Sequence, residues 1–335
     1  MSTHLRGVNL GGWLVLERWM TPRLFAGTNA KDEYSFMQTP GAKEKINKHR
    51  DTFITEDDFR WLAEQGYNAV RIPVGYWLFD GDDLFLPCIT WLDWAIETAT
   101  EHNIKVLICL HGAPGSQNGH DHSGRVGRVE WYDSKSHRQR TVDVIAQLAH
   151  RYKQQPAVWG IELLNEPNAW YRPWLLRRYY KEAYAAIQSV GRKGVTTVFS
   201  DGFMPRFMSG AIKAVPNYPV AMDTHWYHFF MPHWVQRKLP LHFYRQQLQR
   251  RVRLLTRLSK KQPVIMGEWS GAMGGEALSR HPKSQHKELT WAHLREQQAL
   301  FAPLAGWFYW SYKTQERGIF HFRSMNEDGH TEPPF

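Results

Sequence analysis

Apolar residues alternate between two spacings along the chain. Short, nearly unbroken runs recur at Leu5 to Gly12, Ala69 to Val74, Lys105 to His111, Trp159 to Asn165, Val195 to Ser200, Val220 to Trp226, Pro263 to Glu268 and Gly306 to Ser311, as expected of strands buried on both faces. Between most of them apolar positions return every three to four residues, predicting helices over Glu56 to Gln65, Thr90 to His102, Arg138 to Tyr152, Trp174 to Val190, Arg206 to Val215, Phe243 to Ser259 and Gln285 to Phe301. Eight strands alternating with helices predict an α/β chain closed into a single (β/α)8 TIM barrel over residues 1–335. No linker, low-complexity segment or short-period repeat divides it.

In such a barrel chemistry gathers where the strands end. Asn9 and Glu17 follow the first run and Arg71 lies on the second; His111 ends the third and Asn165 and Glu166 the fourth. His225 and Tyr227 close the sixth, Glu268 the seventh, and Trp310 lies at the eighth. The fourth and seventh runs, Trp-Gly-Ile-Glu-Leu-Leu-Asn-Glu-Pro and Pro-Val-Ile-Met-Gly-Glu-Trp, each deliver a carboxyl to a strand end. Two such acids suit hydrolysis of a glycosidic bond, one protonating the leaving oxygen and the other attacking the sugar. Glu162 alternates onto the face of Glu166 but deeper, so it is expected to be a buried structural carboxylate with a partner. His120-Asp121-His122 is read as hydrogen-bonding or substrate-facing rather than metal-binding, and no metal or cofactor is expected.

Composition narrows the picture further. Aromatic residues make up 14% of the 335, which suits a site that stacks sugar rings. Cys88 and Cys109 are too few for a disulfide framework. The N-terminal residues enter strand-like sequence without an apolar segment long enough for a secretion signal or membrane span, so a cytoplasmic location is expected. The net charge of +10 concentrates between Arg245 and Lys261, where Arg245, Arg250, Arg251, Arg253 and Arg257 interleave with leucines at helical spacing. That pattern predicts an amphipathic helix with a solvated basic face, with weak association with anionic surfaces as the alternative. Without a zinc-finger spacing, an RNA-binding aromatic motif or a phosphate loop, the charge does not predict nucleic-acid binding.

The strings Leu-Leu-Asn-Glu-Pro at 163–167 and Gly-Glu-Trp at 267–269 resemble glycoside hydrolase family 5. Arg-Gly-Val-Asn-Leu-Gly-Gly-Trp at 6–13, Asp-Glu-Tyr at 32–34, Val-Arg-Ile-Pro-Val-Gly-Tyr-Trp at 70–77 and His-Gly-Ala-Pro-Gly-Ser-Gln-Asn-Gly at 111–119 are similar to its fungal exo-β-1,3-glucanase branch. The resemblance runs from Leu5 to about Lys313 and implies a retaining enzyme, with Glu166 as acid/base and Glu268 as nucleophile. It further implies that Arg71 and Tyr227 hold the Glu268 carboxylate, that His225 contacts Glu166, and that Asn165 binds the sugar 2-hydroxyl. Glu17, His111 and Asn118 would bind other hydroxyls, with Asp121 in the same loop, and Trp310 would floor the terminal sugar. Of the branch's entrance phenylalanine pair, Phe230 matches one member and the other falls at His120. The expected substrate is a β-1,3-glucan oligosaccharide or related β-glucoside cleaved from its non-reducing end. Endo-cleavage, transglycosylation and glycolipid hydrolysis use the same machinery; a carbohydrate-binding barrel without activity would not need both acids.

Overall fold

The structure is a computed structural model that describes residues 4–82, 84–228, 240–273 and 275–328. Eight strands, β1 (Leu5–Asn9), β2 (Ala69–Gly75), β3 (Lys105–Gly112), β4 (Val158–Glu162), β5 (Thr196–Ser200), β6 (Val220–Trp226), β7 (Val264–Trp269) and β8 (Gly306–Tyr309), pair in parallel and in chain order. β8 closes on β1 through Leu5 opposite Gly306, giving the predicted barrel.

Alternation of side chains along each strand divides the barrel interior into levels. At the bottom, Leu5, Ala69, Leu107, Val198, Ala221, Ile265 and Phe308 form an apolar plug. Two residues further along several of these strands stand Arg71, Cys109, Asp223 and Trp310, all buried. Polar groups therefore sit directly on an apolar floor, where they must satisfy one another. Gly267 belongs to this level because a Cβ there would stand 2.1 Å from the Asp223 carboxylate, which instead accepts the Gly267 amide at 2.6 Å.

Several predicted strands extend past the observed ladder. β1 stops at Asn9, β4 at Glu162 and β8 at Tyr309, because the residues beyond turn into the loops that present the site. The helix expected over Arg206 to Val215 is only Pro205–Met208; Gly210, at φ 75°, turns the chain where a longer helix would have continued. Helices Glu33–Phe36 and Ala42–Phe53, not predicted, fill the long β1–β2 connection. Asp32 and Ser35 form a capping box at the first. The basic segment forms the helix Leu241–Leu258, burying Tyr244, Leu248, Val252 and Leu255. Arg251 departs from its expected solvated face: it turns inward to Asp201 at 2.7 Å with 14% of its side chain exposed. No helix among the described residues is long and apolar enough to cross a membrane.

Candidate active site

A cavity of about 810 Å³ opens at the C-terminal end of the strands. Its walls include Glu17, His111, Asn165, Glu166, His225, Glu268 and Trp310. Glu166 projects from the loop after β4 with φ 41°, a left-handed conformation uncommon for a side chain larger than glycine. Its backbone is held there by Asn118, whose amide donates to the Glu166 carbonyl at 3.2 Å. Glu268 lies on β7 itself. Oxygens of the two carboxylates come within 4.8 Å of each other.

Each carboxylate has its own surroundings. Arg71 Nη1 donates to Glu268 Oε1 at 2.9 Å and the Tyr227 hydroxyl donates to Oε2 at 2.9 Å. The same guanidinium reaches Glu162 at 2.7 Å, Asn9 Oδ1 at 2.8 Å and Asn165 Oδ1 at 2.8 Å, so one buried cation orients the polar residues of three strands or their ends. Glu162 thus has the partner its depth demands. Burial raises its pKa, against the charge of Arg71.

Glu166 contacts two imidazoles, His225 Nδ1 at 2.6 Å and His122 Nε2 at 3.4 Å. Burial alone would favour its neutral form, but the His225 hydrogen bond and charge, with His122 and Arg71, outweigh that and pull its pKa down to about 2. Burial opposes charge on His225 as well. The carboxylates of Glu268 and Asp223 and the hydrogen bond to Glu166 prevail, raising its pKa well above the usual imidazole value. Of this pair, His225 is thus the one favoured to hold the proton.

The remaining predicted residues take distinct places. Asn165 turns its amide toward His111 and His122, at 3.4 and 3.3 Å. His111 stacks flat against Trp310, 5.7 Å between ring centres, and burial with the charge of Arg71 keeps it neutral. Glu17 accepts the Trp19 indole at 2.9 Å; burial, with the negative charge of Asp121, raises its pKa well above the ordinary value. His120 and Asp121 line the cavity. Asn118, expected to bind a sugar hydroxyl, divides its side chain between the Glu166 carbonyl and the His120 amide. Phe230 lies outside the described residues.

The sequence pattern assigned no part in the site to Asp223, Arg251, Trp19, Phe203 or Phe320, whereas His122, read as hydrogen-bonding or substrate-facing, meets Glu166. Asp223 was readable, since it precedes His225 by two residues on one strand and so shares its face; it lies 3.1 Å from His225 Nε2. Arg251 comes from a helix whose pattern marked it as solvated, and no local signal separates it from its neighbours. Two groups, Glu162 with Asp223 and His225, and Glu166 with His225 and Glu268, bring metal-ligand atoms together. Arg71 already occupies oxygens of Glu162 and Glu268 and His225 meets Glu166 and Asp223, so each of these four carboxylates has a basic partner within the protein.

Comparison with known proteins places this geometry in a family. The model of cellulase, glycosyl hydrolase family 5, matches residues 30–316. The chain belongs to glycosyl hydrolase family 5. It is 39% identical over 285 residues to a probable glucan 1,3-beta-glucosidase A of Aspergillus fumigatus, an alignment covering 80% of this chain and 65% of that protein. The chain thus spans just under two thirds of that relative's length. With a glucan 1,3-beta-glucosidase of Blumeria graminis it shares 32% identity, covering 98% of this chain and 86% of the relative. Rutinosidase from Aspergillus niger has the same fold, at a TM-score of 0.79 and 21% identity over 98% of this chain and 97% of that one.

Proposed function

We propose that this chain is a retaining β-glucosidase or β-glucanase, releasing glucose from the non-reducing end of β-1,3-linked or related β-glucosides. Glu268 is the nucleophile and Glu166 the acid/base. The observation that carries this reading is the approach of the two carboxylates to within 4.8 Å. Retaining enzymes bring theirs to about 5 to 5.5 Å, whereas inverting ones leave about 6.5 to 9.5 Å for a water. The glucan 1,3-beta-glucosidase relatives support the linkage.

In the first step a Glu268 oxygen attacks the anomeric carbon while Glu166 protonates the departing glycosidic oxygen, leaving a glycosyl ester on Glu268. That proton reaches Glu166 along its 2.6 Å contact with His225 Nδ1 as sugar displaces water from around the carboxylate. In the second step Glu166 takes a proton from water, whose oxygen bonds to the anomeric carbon as Glu268 leaves. Between the steps Glu268 is uncharged, so a charge on Glu166 meets less repulsion and base action is favoured. Trp310 supplies a flat wall for the terminal ring.

Anomer-resolved NMR during hydrolysis of β-1,3-gluco-oligosaccharides tests this directly. β-Glucose should appear first, one unit at a time. Glu268→Ala should abolish turnover and, with azide, give α-glucosyl azide from an activated aryl β-glucoside. Initial release of α-glucose, or undiminished activity in Glu268→Ala, would sink the assignment.

A further inference from the structure

Among the described residues seven large hydrophobic side chains stand well exposed, and all five aromatic ones, Trp19, Trp170, Tyr171, Trp174 and Phe203, follow the C-terminal ends of strands. The exposed rings are therefore concentrated on the catalytic face. Trp170 and Trp174 are the extremes, at 70% and 72%. Leaving such area in water is costly unless something covers it.

Part of this group reaches the cavity. Phe203 forms part of its wall, and the preceding Gly202 accepts the Ala169 amide through its carbonyl at 3.3 Å. A Cβ on Gly202 would come within 2.8 Å of the Ala169 Cβ. The loops after β4 and β5 are thus in direct contact, and each presents an aromatic residue immediately afterwards, Trp170 and Phe203. Outward from there, Trp174 packs edge to face on Phe207, 4.9 Å between centres, so its orientation is fixed while most of its surface stays open.

The chemistry of the rings and of the cavity beside them points to the occupant. Arg172 is paired with Asp133 at 2.7 Å and Arg178 with Glu182 at 3.7 Å, Arg177 donates to the carbonyls of Phe207 and Gly210, and Arg206 is exposed. Cations thus stand beside the rings, but Trp170 and Trp174 themselves offer flat apolar area next to a cavity read as taking a glucose end. That suits a chain of pyranose rings, whose C–H faces stack on aromatics.

We propose that Trp170 and Trp174 form a stacking shelf for distal glucose rings of a β-glucan chain whose non-reducing end occupies the cavity. The shelf rests on the reading of the site as a β-glucosidase and makes the enzyme selective for chain length. Contacts so far from the scissile bond are the same in ground and transition states, so they lower KM and leave kcat unchanged.

The test compares the wild type with the double variants Trp170→Ala/Trp174→Ala and Trp170→Phe/Trp174→Phe on a gluco-disaccharide and a long soluble β-1,3-glucan. The alanine variant should raise KM for the long glucan about tenfold with the disaccharide little affected, and the phenylalanine variant should recover most of the loss. In a Glu268→Ala background, retardation by the same glucan in a native gel should weaken in parallel, which reads the shelf without turnover. Equal losses on both substrates, or none on either, would overturn the shelf. So would loss of binding to phosphatidylglycerol vesicles with glucan retardation intact, which would make the rings a lipid-docking surface. Failure of the wild type to hydrolyse any aryl β-glucoside would instead remove the underlying β-glucosidase reading.

Discussion

His225 Nδ1 lies 2.6 Å from Glu166 Oε1 while its other ring nitrogen lies 3.1 Å from Asp223. An imidazole held between carboxylates at both nitrogens is a proton store, and here it adjoins the group that must donate. Because the pKa of His225 is raised and that of Glu166 lowered to about 2, the alkaline limb of kcat/KM reports loss of the proton the pair shares. In His225→Gln that proton must rest on Glu166 alone, whose pKa climbs once the cation is gone. The alkaline limb should then move to lower pH by about one unit or more, with turnover on activated substrates surviving near pH 5. A limb that stays in place would show that His225 does not hold the proton.

Arg71 ties together Glu162, Glu268, Asn9 and Asn165 at full burial. Arg71→Met leaves buried carboxylates unpaired, and the expected cost is about 3 to 5 kcal/mol of stability together with loss of turnover. Adding Glu162→Gln removes one of the stranded charges and should restore part of the melting temperature but none of the activity, because Glu268 keeps the Tyr227 hydroxyl but still lacks its cation. Calorimetry and an aryl glucoside assay on both variants check this; recovery of activity in the double variant would contradict the role given to Arg71.

The barrel was legible because each strand announces itself as an apolar run and because alternation fixes which residues face inward. That is why Arg71, Glu162, Glu166 and Glu268 could be found without coordinates. The same logic failed at loops and helix surfaces. The family resemblance gave Asn118 a sugar hydroxyl, and it carries no sign that its amide also closes the turn that aims Glu166. Arg251 carried the periodicity of a solvated position but meets Asp201 and Thr224 at 2.7 and 2.5 Å, a pairing made only when distant strand ends converge. Local pattern reports which way a residue faces; it does not report what stands opposite.

Three buried histidines predict the acid behaviour of the fold. Burial holds His49 down to about 4, with its ring on the Gly12 carbonyl. His228 falls to about 3 through burial and the nearby His293, which itself falls to about 4. In the unfolded chain all three protonate near the ordinary imidazole value of about 6.5. Between that value and their folded values the unfolded state binds more protons, so stability should decline as pH falls from about 6.5 toward 4. Glu166 adds a second decline, from the ordinary carboxyl range down to about 2, as protonation removes its pairing with His225. Melting temperatures measured from pH 7 to pH 3 should show this progressive loss, and His49→Gln should soften the upper part of it. A flat profile from pH 7 to pH 4 would mean these rings are charged or hydrated in the folded protein.

At the cavity rim His120 stacks on His122, 5.4 Å between centres and 17° between planes, and His122 in turn reaches Glu166 Oε2 at 3.4 Å. A polar ring thus stands where the exo-glucanase branch places a phenylalanine, and it supports a neighbour that touches the acid/base. Phenylalanine at this position keeps a flat ring against His122 while offering a second sugar a more apolar face. His120→Phe should therefore lower KM for a β-1,3-linked disaccharide by about three- to tenfold, the gain of one aromatic contact, with a smaller effect on an aryl glucoside that lacks the second sugar. Equal gains on both substrates would place the effect on His122 and Glu166 rather than on sugar stacking. No gain on either would mean that the second sugar leaves the cavity past a different wall.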